Sequence, residues 1–181
     1  QEISRTLDLP VVVKPTNQGS SLGVTIVKDE NQWKPALETA FAYSEEVMVE
    51  KFIDGKLLAI GMNEMTPMPI IHIRPKSGFY DYEAKYTSGK TEYICPADIE
   101  EDEANQCRQV AIKVFQVLRG RGFPRVDVIL DGQGTPQVLE INTIPGMTPT
   151  SLLPMAAQEM GMEFDDLVVE ILKTAQLDYT E

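Results

Sequence analysis

Arg125, Asp127, Glu140 and Asn142 are of types, and at spacings, that can hold a cation and handle phosphate. Val126, Val128 and Leu130 alternate with Arg125, Asp127, Ile129 and Asp131, and Val138 to Asn142 forms a second run. Asp-Gly-Gln-Gly-Thr-Pro lies between the two runs, so the stretch reads as a β-hairpin. Folding it symmetrically about that turn pairs Asp127 with Glu140 and Arg125 with Asn142. All four side chains then share one face of one ladder. Opposed carboxylates repel, so a cation is the natural reason to keep them together. Two carboxylates and an amide oxygen suit Mg²⁺, which retains waters and takes phosphate oxygens. The alternative is a solvated hairpin face that happens to carry charge.

Two further stretches could act on an anion. Gly19, Ser20, Ser21 and Gly23, with Lys14 just before them, can offer backbone N–H groups, hydroxyls and a positive charge to a phosphate. Their spacing is not that of a Walker loop, and a plain flexible hairpin tip is the competing reading. Residues 76–99 break the periodicity and carry four tyrosines and three lysines. A loop of that length inside a compact domain is usually functional or disordered, and its aromatic content predicts an ordered lid with Lys85 and Tyr86 as polar tips. A surface loop packed on its own aromatics is the alternative. His72 reads as a satisfied strand residue, and Cys95 and Cys107 as ordinary packed thiols.

The elements that must position these groups follow from periodicity. Residues 10–28 predict a hairpin with a small-residue tip. Trp33, Ala36, Leu37, Ala40 and Phe41 trace a helix beginning close to Pro35. Residues 46–53 read as a strand, Asp54-Gly55 as a turn, and KLLAIGMN and MPIIHIRP as antiparallel strands. Cys107, Val110, Ala111, Val114, Phe115 and Leu118 define a helix from about 101 with an acidic first turn, ended by Gly120 and Gly122. A proline- and glycine-rich loop after the central hairpin leads into a helix. The closing helix FDDLVVEILKTA then has Leu167, Val168, Ile171 and Leu172 inward.

Composition limits the rest. With 181 residues, 43% of them hydrophobic, the chain can bury a sizeable core in one domain or two small lobes. Its net charge of −12 argues against a nucleic-acid or membrane-surface binder. No apolar run reaches the roughly 20 residues that cross a bilayer, and the start lacks a secretory signal. The expectation is a soluble, cytoplasmic protein in which any bound anion is held by a local cluster of donors.

KPTNQGSSLG, VEKFIDG, FYDYEAKY, RVDVILD and LEINTIPGMTPTSLLP, in that order and at those separations, resemble the ATP-grasp half of the D-alanine–D-alanine ligases over about residues 10–176. The resemblance implies an α+β ATP-grasp fold whose two lobes, with largely antiparallel sheets, hold nucleotide between them. Residues 1–54 would be part of the small lobe with its phosphate-covering loop. Residues 55–181 would be the large lobe, with lid loop 76–99 and metal-binding hairpin 124–143.

It further implies joining of two D-alanines through a D-alanyl phosphate for peptidoglycan precursors, with ATP and two Mg²⁺ ions, or Mn²⁺ in their stead. A homodimer is implied for the full-length family member. By the same resemblance Lys14 contacts the nucleotide, and Ser20 and Ser21 cap the phosphates, Ser20 also joining the catalytic set. Glu50 accepts from the adenine amino group, and the backbone of Lys51 and Ile53 reads its edge. Lys85 sits at the transferring phosphate and Tyr86 over the second substrate. Asp127, Glu140 and Asn142 ligate metal, Arg125 and the Gly146 backbone steady the tetrahedral oxyanion, and Ser151 and Leu152 lie near the second D-alanine.

Leu57 stands where the family usually has a glutamate for the ribose hydroxyls. The family's amino-terminal domain has no counterpart here, so the chain is expected to be the ATP-binding half and incomplete by itself. A nucleotide-binding module without ligase activity is the alternative of a different class. Another carboxylate–amine or depsipeptide ligase is the third, on which Tyr86 bears, since D-lactate-using members tend to have phenylalanine there.

Overall fold

The structure, a computed structural model, describes residues 7–87 and 89–176. The chain divides into two compact units, Gln1–Ile53 with Pro75–Glu92, and Asp54–Arg74 with Tyr93–Glu181.

The first unit is built on a three-stranded antiparallel sheet in the order β2-β1-β3, with β1 Val11–Pro15, β2 Thr25–Val27 and β3 Val47–Lys51. The valine run of β1 supplies the alternation. Val11 and Val13 are buried against Ala36 and Ala40 of helix α1 (Trp33–Phe41) together with Val27, while Val12 and Lys14 fall on the other face. Pro35 lies in the first turn of α1, where its missing N–H is harmless. The expected apolar face is narrower than predicted, because Phe41, at the last position of α1, is 54% exposed. A short helix α2 (Tyr82–Tyr86) completes this unit, capped by Asp81, whose Oδ1 accepts from the Ala84 N–H at 2.8 Å.

The resemblance assigns the lid, residues 76–99, to the lobe of residues 55–181. Residues 75–92 belong to the first unit, because Ser20 and Ser21 hydrogen-bond to Tyr86 and to the Tyr80 carbonyl.

A five-stranded sheet in the order β6-β5-β4-β7-β8 carries the second unit: β4 Gly55–Asn63, β5 Thr66–Pro75, β6 Thr91–Ile94, β7 Arg125–Asp131 and β8 Pro136–Asn142. Helix α3 (Glu101–Val117) covers one face. Leu58, Ile60, Met62, Ile70, Val126, Val128 and Leu130 are buried there against Ala104, Cys107, Ala111 and Phe115. Because side chains alternate, the same pairing sends Leu57, Ala59, Gly61, Arg125, Asp127 and Ile129 to the opposite face. Helix α4 (Leu152–Glu159) approaches β4 at Gly61, where an added Cβ would meet Leu153 Cδ1 at 2.8 Å.

Both ends of α3 are set by local chemistry. Glu100 and Glu103 form a capping box at its start. At its end the Gly120 N–H bonds to the Phe115 carbonyl and the Arg119 N–H to that of Gln116, a Schellman motif. The left-handed residue of that motif is Arg119, at φ 51°, rather than a glycine. Gly120 is required for packing instead, since a Cβ there would lie 2.7 Å from the Phe115 ring. Leu118, expected on the buried face, is the C-cap and is 58% exposed. In the last helix, α5 (Phe164–Lys173), Leu167 is buried, but Val168 and Leu172 are exposed rather than inward.

His72 behaves as the satisfied strand residue predicted. Buried on the α3 side of β5, it donates through Nδ1 to Asp98 at 2.5 Å, while Arg74 donates to the other Asp98 oxygen at 2.6 Å. Lys56 holds the Asp98 carbonyl, so the segment entering α3 is fixed from three sides. The hydrogen bond from His72, helped by Arg74, lowers the Asp98 carboxyl from 3.8 to about 2. A depressed folded-state value contributes stability that is present above the ordinary carboxyl range and lost as pH falls through about 2. Urea titrations should therefore show the parent losing more stability than Asp98→Asn between about pH 4 and pH 2. Parallel losses in the two chains would contradict the assignment.

Candidate functional site

The hairpin of β7 and β8 brings together Arg125, Asp127, Glu140 and Asn142. Asp127 pairs with Glu140 and Arg125 with Asn142, as expected. The route to that pairing is not the symmetric fold. Around the turn Leu130 faces Pro136 and Val128 faces Val138, one residue out of the expected register. A β-bulge after Val138 inserts Leu139 and restores the offset, so that Glu140 and Asn142 land beside Asp127 and Arg125 while Ile141 packs against the core. Without the bulge, Leu139 would oppose Asp127.

On this face the Asp127 side chain is 12% exposed and that of Arg125 17%. Arg125 donates from Nε to Asp127 Oδ1 and from Nη2 to Oδ2, both at 2.7 Å, a bidentate pair. Asn142 Nδ2 adds a third donor to Oδ2 at 3.0 Å. Ala59 is the β4 residue paired with Asp127, and its small side chain leaves the carboxylate room. Glu140 is exposed beside it. No group of three or more His, Cys, Asp or Glu suited to a metal occurs among the described residues. The set here is two carboxylates and an amide whose Nδ2 faces Asp127; with the Asn142 oxygen turned to the site, all three groups would offer oxygen. It fits a hard divalent cation that keeps waters or phosphate oxygens for its remaining positions.

The loop after β8 presents backbone rather than side chains. A Cβ on Gly146 would meet Ser151 Oγ at 2.8 Å, so glycine allows the loop to lie against that hydroxyl. Ser151 Oγ accepts from the Thr148 N–H at 3.0 Å and lies 2.8 Å from Thr148 Oγ1. Ser151 is the N-cap of α4, and the first N–H groups of that helix, on Leu152 and Leu153, lack intrahelical acceptors. Leu152 is itself buried, so its side chain is core and only its backbone is available to a ligand. Thr148 escaped the sequence reading, although a threonine three residues before a capping serine is a legible signal.

The first unit assembles the other named residues. Lys14 and Glu50 project from the face of the sheet away from α1 and form an ion pair. β3 is an edge strand. The Phe52 N–H donates inward to the Pro10 carbonyl, so by alternation the N–H and C=O of Lys51 and Ile53 point to the open edge. In the glycine-serine loop, Ser20 and Ser21 both adopt left-handed backbone, at φ 54° and 59°. There Ser20 Oγ lies 2.8 Å from Tyr86 OH, and Ser21 Oγ donates to the Tyr80 carbonyl at 3.0 Å. Lys85 Nζ sits 5.1 Å from the centroid of the Tyr80 ring, and Tyr82 and Tyr86 pack at 4.7 Å. Tyr80 and Asp81, which tie the loop to α2 and cap it, were not singled out by the sequence. The capping aspartate three residues before Ala84 is the signal that would have found the helix.

Among the described residues no helix is long and apolar enough to cross a membrane.

Comparison with known proteins gives the family of this chain. Residues 1–173 match the family described as D-ala D-ala ligase C-terminus. A D-alanine–D-alanine ligase of Syntrophotalea carbinolica is 47% identical over 178 residues, covering 98% of this chain and 58% of that protein. Crystal structures of the Bacillus anthracis D-alanine–D-alanine ligase, alone and complexed with ATP, superpose with TM-scores of 0.83 and 0.78 at 34% and 32% identity. They cover 96% of this chain and 56% and 55% of theirs. The VanG D-Ala:D-Ser ligase of Enterococcus faecalis has a TM-score of 0.83 at 30% identity, covering 96% of this chain and 51% of its own. The chain thus spans a little over half the length of the relatives it matches. With its α+β ATP-grasp fold and a match over nearly all its residues, the chain belongs to the family of D-alanine–D-alanine ligase carboxyl-terminal regions.

Proposed function

We propose that this chain is the nucleotide- and metal-handling part of an ATP-dependent ligase that joins two D-alanines for peptidoglycan precursors in the cytoplasm. The observation that carries the reading is the face of the hairpin, where Asp127 and Glu140 lie directly opposed with Arg125 and Asn142 beside them. That grouping is hard to explain as a solvated surface, because the Asp127 and Arg125 side chains are largely shielded from water.

In this reading Asp127, Glu140 and Asn142 would hold Mg²⁺, two ions or Mn²⁺ in their place, which would supply the positive charge that offsets the triphosphate. Lys14 and Glu50 hold the nucleotide, and the open edge of β3 at Lys51 and Ile53 reads the adenine. Ser20 and Ser21 close over the phosphates. Lys85 neutralises the γ-phosphoryl group as it passes to the carboxylate of the first D-alanine, and ADP leaves. The amine of the second D-alanine, steadied by Ser151, the Leu152 backbone and the Ser20–Tyr86 hydroxyl pair, attacks the acyl phosphate. Arg125 and the Gly146 N–H stabilise the oxyanion until phosphate departs and the amine releases its proton.

Calorimetric titration of the chain with ATP, with and without Mg²⁺, tests the reading, followed by assay of D-alanine-dependent phosphate release. Mg²⁺-dependent nucleotide binding is expected, and its absence would sink the proposal. Leu57, half-buried and paired with Ile73 and Ile129, cannot accept a hydrogen bond from ribose. An unmet polar partner costs about 1–3 kcal/mol, so Leu57→Glu should tighten Mg²⁺–ATP by roughly tenfold or more. Equal affinity in the two chains would mean that the ribose is held by other groups.

A further inference from the structure

The bidentate pair between Arg125 and Asp127 has a consequence for the proposed metal site, on which the following rests. Both Asp127 oxygens are engaged by Arg125, at 2.7 Å each, and Oδ2 also receives Asn142 Nδ2. The guanidinium thus supplies the positive charge that the opposed carboxylates need, using the same carboxylate that a divalent cation would take. Charges of +1 and +2 on one carboxylate, in a pocket where both side chains are mostly shielded, repel strongly because solvent screens them poorly. The two cations therefore compete for Asp127 in its present geometry.

We propose that Arg125 is an internal counter-ion for Asp127, and that a divalent cation enters by displacing this clamp. The swap sets the metal affinity below what the oxygen ligands alone would give. It also couples metal loading to the position of Arg125, so that the guanidinium leaves the carboxylate when the metal ion arrives. Arg125 is in this respect a positioning residue that acts through Asp127. The metal-free chain gains by the same arrangement, because Asp127 is never left opposite Glu140 without a partner.

Mn²⁺ affinity, measured on the 181-residue chain by electron paramagnetic resonance of the free ion without nucleotide, is the readout. Arg125→Ala should bind Mn²⁺ about tenfold more tightly than the parent, a change of about 1.4 kcal/mol. Arg125→Lys keeps the charge but loses the two-pronged geometry, so its affinity should lie between those of the parent and Arg125→Ala. The metal-free Arg125→Ala chain should melt at a lower temperature than the parent, and saturating Mn²⁺ should recover the difference. If Arg125→Ala does not fold, Arg125→Lys carries the comparison alone. Parent-like or weaker Mn²⁺ binding in the folded variants overturns the clamp and leaves the site itself standing. Mn²⁺ uptake that survives Asp127→Ala, or no uptake by any of the chains, overturns both.

Discussion

Replacing Asp127 and Glu140 together with alanine is expected to abolish Mg²⁺-dependent ATP binding, and either replacement alone to weaken it by at least about tenfold. The two carboxylates face each other across β7 and β8, and a hard cation that keeps several waters relies on the few protein oxygens it takes. Removing one leaves an incomplete oxygen set. The single changes should differ in a second respect. Asp127→Ala deprives the shielded Arg125 of its bidentate partner, so it should also reduce stability. Glu140 is exposed, and Glu140→Ala should leave stability within about 0.5 kcal/mol of the parent. Calorimetric titration with Mg²⁺–ATP, beside urea denaturation of each variant, separates the effects. Parent-like nucleotide binding in the folded double variant would mean that the metal lies elsewhere.

Phe115→Ala is expected to reduce the stability of the chain by about 3–5 kcal/mol, the range for truncating a buried aromatic side chain. Phe115 is buried in the core that joins α3 to β4 and β7, and Gly120 folds back against its ring. The adjacent turn has nothing to fill the space with, since Gly120 lacks a side chain. Loss of the ring should loosen the helix that backs the strands bearing Asp127 and Arg125. Leu118→Ala, three residues on, should change stability by no more than about 0.5 kcal/mol, because Leu118 is mostly exposed. Urea midpoints for the two variants give the comparison. Equal losses would show that α3 is held by something other than this face.

The sequence by itself determined most of the elements and named the candidate site residues. Val11 and Val13 against Val12 and Lys14, and Ala104, Cys107, Ala111 and Phe115 along α3, follow from periods of two and 3.6 that any single strand or helix must obey. The ordered motifs around Lys14, Glu50, Lys85, Asp127 and Glu140 were legible for the same reason, since each is a short segment whose chemistry is local. What the sequence did not contain was everything that depends on a partner strand or on burial by a distant segment. Residues 75–92 join the first unit through hydrogen bonds to Ser20 and Ser21, some sixty residues earlier. Phe41, Leu118 and Leu172 obey the helical period and are still exposed, because period specifies a face and only packing decides how far along the helix that face is covered. The hairpin marks the division most clearly. Its symmetric reading and the structure agree on Asp127 with Glu140, but the turn closes one residue out of register, and the bulge at Leu139 makes up the difference. A single inserted residue reverses which side chains face the core. Alternation along β8 alone puts Val138 on the same face as Glu140, and only the need to bury Ile141 beside Val126 turns Glu140 and Asn142 to the side of Arg125 and Asp127.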